Sequence, residues 1–549
     1  MTPEELSSAI LSCLRDAVSA GDINVDPPAE VRVERPKNRD HGDWATNIAL
    51  QVAKRAGMNP RDFASLLKGR LEEVDGVASV DIAGPGFLNI VLDASAAGEL
   101  ARNIVDTGSS YGTSQVMSDQ RINLEFVSAN PTGPIHLGGT RWAAVGDALA
   151  RIFEAAGAAV TREYYFNDHG SQIDKFARSL LASAKEQPAP EDGYAGQYIT
   201  DIAARVLSIA PAVLDQDDDA SQEQFRAIGV DLMFGDIKAS LHAFGVDFDV
   251  YFHEDSLHKD GAVGKLLEQL KGSGSLYSAD GAWWLRSTEF GDDKDRVVIK
   301  SDGDPAYIAG DIAYIQNKLD RGFTLNLYLL GADHHGYVAR LKAAAAALGH
   351  SADSVEVLIG QMVNLVREGK AVRMSKRAGT VVTLEDLVDA VGVDAARYAL
   401  ARYSADSNID IDLDLLVKKS NDNPVFYVQY AHARSCAAAR NAAAAGVDGS
   451  EFDAGTLAHE SETELLAHLG TYPSVVAQSA QFREPHRVAR HLEVIAGSYH
   501  RWYASCRITP IGEQQAAAVN HTRLWLNNAT TQVLGNGLGL LGVSAPERM

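Results

Sequence analysis

The sequence predicts an α/β protein whose parallel sheet carries an insertion, with a small α+β unit before it and an all-α bundle after it. Three observations support this. The run INLEFVSA, a glycine-rich turn, helix-spaced Trp142, Val145, Leu149, Ile152 and Phe153, and the run AVTREYYFND form a strand-turn-helix-strand series. Such a series packs as a parallel βαβ unit of the Rossmann type. Two further strand runs, TLNLYLLG and VEVLIG, come far downstream, so the sheet is interrupted and then completed. From about residue 415, strand runs give way to alanine-rich amphipathic stretches such as YVQYAHARSCAAARNAAAA, the pattern of packed helices.

Taken in order, residues 1–115 combine a helical start, a basic patch at Arg35, Lys37 and Arg39, and two short strands around Gly84-Pro85-Gly86 in VASVDIAGPGFLNIVLD. The Gly/Ser/Thr-rich stretch GSSYGTSQ ends this unit. Residues 116–410 form the sheet domain, with the insertion expected near 175–300 and the polar runs EQPAPEDG and LDQDDDAS expected as solvated loops. Residues 411–549 form the helical bundle.

Composition narrows the function. The 549 residues have 46% hydrophobic content and a net charge of −23, a globular composition without a general basic coat. Screening confines fields to about 8 Å at physiological salt, so a local basic groove for nucleic acid remains compatible with an acidic body. Cys13, Cys436 and Cys506 are scattered and form no Cys-x-x-Cys pair, which fits a reducing cytoplasm better than a disulfide framework or cysteine zinc site. No apolar run is long enough to span a bilayer, and the N-terminus starts acidic.

Two loops carry the candidate chemistry. Neither a P-loop nor a G-x-G-x-x-G fingerprint is present. Instead Pro131, Thr132, Gly133, Pro134, His136, Gly138 and Gly139 lie between a strand and a helix, where small residues let the backbone approach a phosphate and the helix N-terminus and imidazole face it. Downstream, Arg373-Met374-Ser375-Lys376-Arg377 forms a basic loop after the later strands. Asp333-His334-His335 spells a manganese phosphoesterase motif without its further acidic ligands, and FHEDSLH is one residue too long for a zinc H-E-x-x-H site. No protein-bound metal is expected. Phe87 and Asn89 alternate on one strand face, where they either stack and hydrogen-bond an unpaired base or sit half-buried.

Together the two loops resemble the HIGH and KMSK signatures of class I aminoacyl-tRNA synthetases. GDWATN, LEFVSANPTGPIHLGG, YFNDHGSQ, AYIAGDIAY, RMSKRAGT, NPVFYVQYAHAR and the terminal APERM extend the resemblance along essentially the whole chain, to the bacterial arginyl-tRNA synthetase family. Two positions depart from it: Gly139 stands for the last signature histidine and Arg373 for the first signature lysine.

The resemblance implies a monomer that uses ATP with Mg²⁺, L-arginine and tRNA(Arg), forms an enzyme-bound arginyl-adenylate, and transfers arginine to the 2′-hydroxyl of the terminal adenosine. It also implies that activation requires bound tRNA. His136 and the loop of Arg373, Met374, Ser375 and Lys376 suit stabilisation of charge on the α-phosphoryl oxygens. By resemblance, Tyr307, Asp311 and Glu254 bind the guanidinium. Glu125, Ser128, Asn130, His136 and His335 line the rest of the arginine pocket, and Met549, Tyr427 and Tyr430 meet the anticodon loop. The N-terminal unit, with Phe87 and Asn89, reads the tRNA D-loop. The alternatives are a class I synthetase for another amino acid and a catalytically silent tRNA-binding paralogue.

Overall fold

The computed structural model describes residues 3–36, 41–167, 170–254, 256–257, 261–372, 382–512 and 514–549. In the N-terminal unit, helices α1 (Pro3–Ser19) and α2 (Pro60–Leu71) cover an antiparallel sheet of β1 (Trp44–Thr46), β2 (Val77–Ala83) and β3 (Phe87–Leu92), in the order β1-β3-β2. Helix α2 starts at Pro60 because the Asn59 side chain accepts from the Arg61 N–H at 2.9 Å, and proline at the first helical position gives up no hydrogen bond. Leu6, Ile10, Phe63, Leu67, Val80 and Leu88 build a separate core here. That core ends at Leu92. Helix α3 (Ala94–Thr107) adds Leu100, Ala101 and Ile104 to the main core instead, and it lies so close to the bundle that a β-carbon on Gly98 would stand 2.3 Å from the Ala454 carbonyl oxygen.

The central sheet is fully parallel. Strands β4 (Arg121–Glu125), β5 (Ala159–Phe166) and β6 (Val250–His253) run to one side, while β10 (Leu325–Gly331) and β11 (Val355–Gly360) complete the order β11-β10-β4-β5-β6. Helix α4 (Leu137–Ala155) crosses from β4 to β5. Two glycines allow its tight packing: a β-carbon at Gly146 would meet the Phe126 ring at 2.4 Å, and one at Gly360 would meet Trp142 at 2.3 Å. The chain leaves β4 in one direction and returns beside it as β10. The carboxyl ends of these two strands therefore bound the crevice where such sheets bind ligands.

The span expected as an insertion falls into two parts, because β6 joins the core sheet. The first part is helical: α5 (Ser171–Ala184), α6 (Gln197–Ile209) and α7 (Asp218–Ala243). The second is an antiparallel sheet of β7 (Leu276–Ala279), β8 (Ala282–Leu285) and β9 (Arg296–Ile299), which the sequence reading did not anticipate. EQPAPEDG is irregular as expected, but LDQDDDAS is not wholly a loop. Asp217 caps α7 by accepting from the Ala220 N–H at 2.9 Å, and Asp218 and Asp219 fill the first turn, where the helix dipole favours negative charge.

Helices α8 (Tyr307–Asp320) and α9 (Tyr337–Ala347) flank β10. Strands β12 (Val363–Arg367), β13 (Lys370–Ala371) and β14 (Ile409–Asp412) form a small sheet beside α10 (Leu384–Val391) and α11 (Val393–Ala401). The bundle comprises α12 (Pro424–Ala444), α13 (Glu460–Gly470), α14 (Tyr472–Phe482), α15 (His486–Ser505) and α16 (Ala518–Leu540). No helix among the described residues is long and apolar enough to cross a membrane.

Candidate active site

The loop after β4 is strained. Val127 and Ser128 adopt φ of 67° and 40°, left-handed conformations that side-chain-bearing residues rarely hold, least of all a β-branched valine. The turn sets Ser128 between strands. Its hydroxyl accepts from the Tyr165 N–H at 3.1 Å and donates to Glu125 Oε1 at 3.3 Å.

The glycine-rich turn then leads into α4. His136 is the residue before the helix, and its Nδ1 accepts from the Gly139 N–H at 3.4 Å, which leaves the ring proton of a neutral imidazole on Nε2. Gly139 is buried, and a β-carbon there would stand 3.1 Å from Ile135 Cγ2. A side chain at this position, where the usual signature has histidine, would need Ile135 to give way. Tyr198, on α6, donates to the Thr132 carbonyl at 3.2 Å and ties the insertion to the turn. Asn130 Nδ2 donates to Gln172 Oε1 at 2.8 Å; neither Tyr198 nor Gln172 was singled out from sequence.

Arg373, Met374, Ser375 and Lys376 lie outside the described residues. The downstream flank of their segment joins the first signature directly, since Leu384 N–H donates to the Ile135 carbonyl at 2.8 Å and Thr383 bridges His136.

A set of carboxylates gathers beside β4 and β10. Asp311 sits in the second turn of α8, after Tyr307. Its Oδ2 is buried with no hydrogen-bond partner among the described residues. Burial pushes its carboxyl up to about 7, with Glu254 and Glu125 adding to the rise and Arg340 opposing it. Glu254, just beyond β6, faces the start of α8: a β-carbon at Gly310 would lie 4.0 Å from its Oε1. The Tyr165 phenol is pushed far up by burial and then by Glu254, Asp311, Glu125 and Tyr307, so these groups converge on one ring. Such a buried, acidic, aromatic-walled place suits a planar cation with several N–H donors. Tyr307 and His335 are exposed, His335 at the carboxyl end of β10.

Beneath this set runs a buried ionic layer that sequence reasoning missed. Lys318 Nζ donates to Glu125 Oε2 at 2.6 Å. Glu163, fully buried on β5, accepts from Arg321 at 2.6 and 2.9 Å, from Asn123 Nδ2 at 2.9 Å and from the Tyr314 hydroxyl at 2.5 Å.

The residues expected to meet RNA lie elsewhere. Phe87 is 41% exposed and Asn89 only 7%, yet both line a cavity of about 330 Å³ with Arg32, Arg35, His41 and Asn47. The two side chains are therefore not equally outward. In the bundle, Tyr427 and Tyr430 are half-buried around His500, at ring distances of 5.0 and 5.6 Å. Arg434 donates to the Tyr430 hydroxyl at 3.1 Å. Met549 is exposed.

Comparison with known proteins agrees with this architecture along the whole chain. Residues 4–92 match the arginyl tRNA synthetase N terminal domain, residues 101–412 the catalytic domain of tRNA synthetases class I (R), and residues 428–549 the DALR anticodon binding domain. An arginine-tRNA ligase of Kineococcus radiotolerans is 64% identical over the full length of both chains. A solved structure from Campylobacter jejuni is 30% identical with a TM-score of 0.75, covering 83% of this chain and all of that one. The arginyl-tRNA synthetase of Thermus thermophilus shares the fold over both whole chains, with a TM-score of 0.78 at 22% identity. With its catalytic segment matched over more than half its length and a relative this similar from end to end, the chain belongs to the arginyl-tRNA synthetase family.

Proposed function

We propose that the crevice at the ends of β4 and β10 binds L-arginine, that the turn from Pro131 to Gly139 binds ATP, and that the two substrates meet there. The chain joins arginine to tRNA(Arg) with ATP, releasing AMP and pyrophosphate. In this reading the arginine carboxylate attacks the α-phosphorus. His136 and Lys376 then stabilise charge growing on the phosphoryl oxygens, each worth about 10²–10³ in rate. Arg373 keeps the charge of the usual lysine with a forked donor geometry. Mg²⁺ would arrive on the ATP phosphates.

The observation that carries the reading is the buried Asp311 Oδ2, which has no donor among the described residues, set beside Glu254 and Glu125. A guanidinium supplies the missing donors and the balancing charge. Asn130, Ser128, His136 and His335 would hold the backbone end of arginine, and Tyr307 would cover the side chain. Dividing the chain near residues 115 and 410, we assign D-loop reading to the N-terminal unit through the Phe87 and Asn89 cavity, and anticodon contact to Tyr427, Tyr430 and Met549. Transfer to the 2′-hydroxyl, activation only with tRNA bound, a monomeric state and a cytoplasmic location complete the proposal.

Asp311→Asn tests it. Loss of one partner of a buried charge pair costs about 2–5 kcal/mol, so arginine binding should weaken accordingly while ATP binding stays near wild type. Equal losses for both substrates would refute the assignment.

A further inference from the structure

Lys318 presents a puzzle. It is a fully buried cation directly beneath a place suited to binding another cation. Its ammonium stands 2.6 Å from Glu125 Oε2, 4.3 Å from the Tyr314 ring centroid and 3.9 Å from that of Tyr328. Burial lowers its pKa, and the adjacent Glu125 and Glu163 oppose that fall. The Arg321 guanidinium is committed to Glu163. Among the described residues, Lys318 is therefore the cation that answers Glu125.

Without it, Glu125, Glu254 and Asp311 would share one low-dielectric place in which, among the described residues, Arg340 opposes the rise at Asp311. Like charges so crowded drive a proton onto one of them, and a protonated carboxyl is a poor acceptor for a guanidinium. Resting on the reading above, we propose that Lys318 is a positioning residue for arginine recognition. Its ammonium fixes the Glu125 carboxylate and cancels its charge, so that Glu254 and Asp311 both ionise around the bound side chain. Among the described residues, the other ionisable groups facing Asp311 are Arg340 and Tyr337 from α9, Tyr307 from α8, Tyr165 from β5 and Tyr328 from β10. None of the phenols carries charge near neutral pH, so among the described residues Glu125 with Lys318, Glu254 and Arg340 set the ionisation of Asp311.

The test is calorimetric titration of the whole protein with L-arginine between about pH 5.5 and about pH 9. Wild-type affinity should fall as pH drops through a midpoint at about 7, where the buried Asp311 carboxyl takes its proton. In Lys318→Met that midpoint should move up by at least about one unit, weakening binding about fivefold at pH 7 and more below it, and recovering at the alkaline end. Glu125→Gln/Lys318→Met, which removes both charges, should bind more weakly overall with its midpoint back at the wild-type position. The double variant also serves if Lys318→Met alone does not fold, because a neutral pair leaves no buried charge exposed to its own desolvation. An unchanged midpoint in Lys318→Met, with affinity lost equally at every pH, would overturn the proposal, as would a shifted midpoint in the double variant. Wild-type protein that binds no arginine at any pH would overturn the reading of the pocket itself, a result distinct from either.

Discussion

Two clusters of buried charge, one around Arg397 and one around Asp311, differ in how completely the protein satisfies them. Arg397 donates to the carbonyls of Phe244 at 2.9 Å, Gly245 at 3.2 Å and Leu541 at 3.2 Å, and to the Asp147 carboxylate. One guanidinium thus ties α4, the end of α7, α11 and the end of the bundle. Asp311 is half-buried, yet among the described residues its Oδ2 finds no donor, and its carboxyl is pushed up to about 7. The first cluster saturates its hydrogen bonds and holds segments together. The second keeps acceptor capacity in reserve at a cost to folding, which is the mark of a group shaped for a ligand.

The comparison predicts that substitutions in the two clusters act on different quantities. The largest effect on stability is expected for Arg397→Met, which strands the buried Asp147 carboxylate with weaker partners. Breaking a buried pair in this way costs about 3–5 kcal/mol, read as a lowered denaturation midpoint, while arginine affinity of the folded fraction is retained. Loss of arginine affinity at unchanged stability would erase the distinction between the clusters.

Lys376→Ala should do the reverse. Adenylate formation should slow by about 10²–10³ in kcat with little change in KM for arginine, and the melting temperature should stay put. A change confined to KM for arginine would remove Lys376 from the transition state.

Outside both clusters, Phe87→Ala should weaken tRNA binding by about 1–3 kcal/mol if the exposed ring stacks on a base. Because Asn89 is mostly buried, Asn89→Ala must be judged against its melting curve. Folded variants that charge tRNA(Arg) as well as wild type would return both residues to the framework of the N-terminal unit.

The smallest expected effect is on acid stability, and it sets bundle against pocket. His468 and His491, packed in the bundle, have pKa values lowered to about 4, in both cases mainly by burial. The unfolded chain therefore binds more protons between about pH 6.5 and pH 4, and stability falls as pH drops through that window. Asp311 works in the opposite direction. Its folded carboxyl takes its proton near pH 7 and its unfolded one near about 3.9, so acidification favours the fold. Asp311→Asn removes that opposing contribution and should steepen the fall in melting temperature between about pH 6.5 and pH 4. A shallower fall would reverse the sign of the argument.

The sequence made the βαβ beginning legible because apolar strand runs, a glycine-rich turn and a helix-spaced apolar stripe occur in immediate succession there. The signature turn stood out by its motif context, whereas Tyr307 and Asp311 were marked only by the family resemblance, since an i,i+4 pair on a helix reads by itself as a solvated face. The ionic layer was hidden for a physical reason. Glu163 and Lys318 look like ordinary charged residues of TREYYF and QNKLD, and only the pairing of β4 with β5 and the packing of α8 bring them to Glu125 and Arg321. The strain at Val127 and Ser128 was hidden as well, because no glycine announces it. The acidic run at 214–221 misled because its charge reads as solvated loop, whereas Asp217 caps a helix whose next turn buries Ser221 and then Phe225.

The central claim is that Asp311 and its neighbours recognise the positive charge of the arginine side chain, and the most direct measurement compares arginine with citrulline, its neutral near-isostere. We would determine kcat/KM for charging tRNA(Arg) with each amino acid, in wild type and in Asp311→Asn. The account predicts a strong wild-type preference for arginine that shrinks by at least about thirtyfold in the variant, the equivalent of about 2 kcal/mol lost from the charged pair. A preference of the same size in both proteins would contradict it.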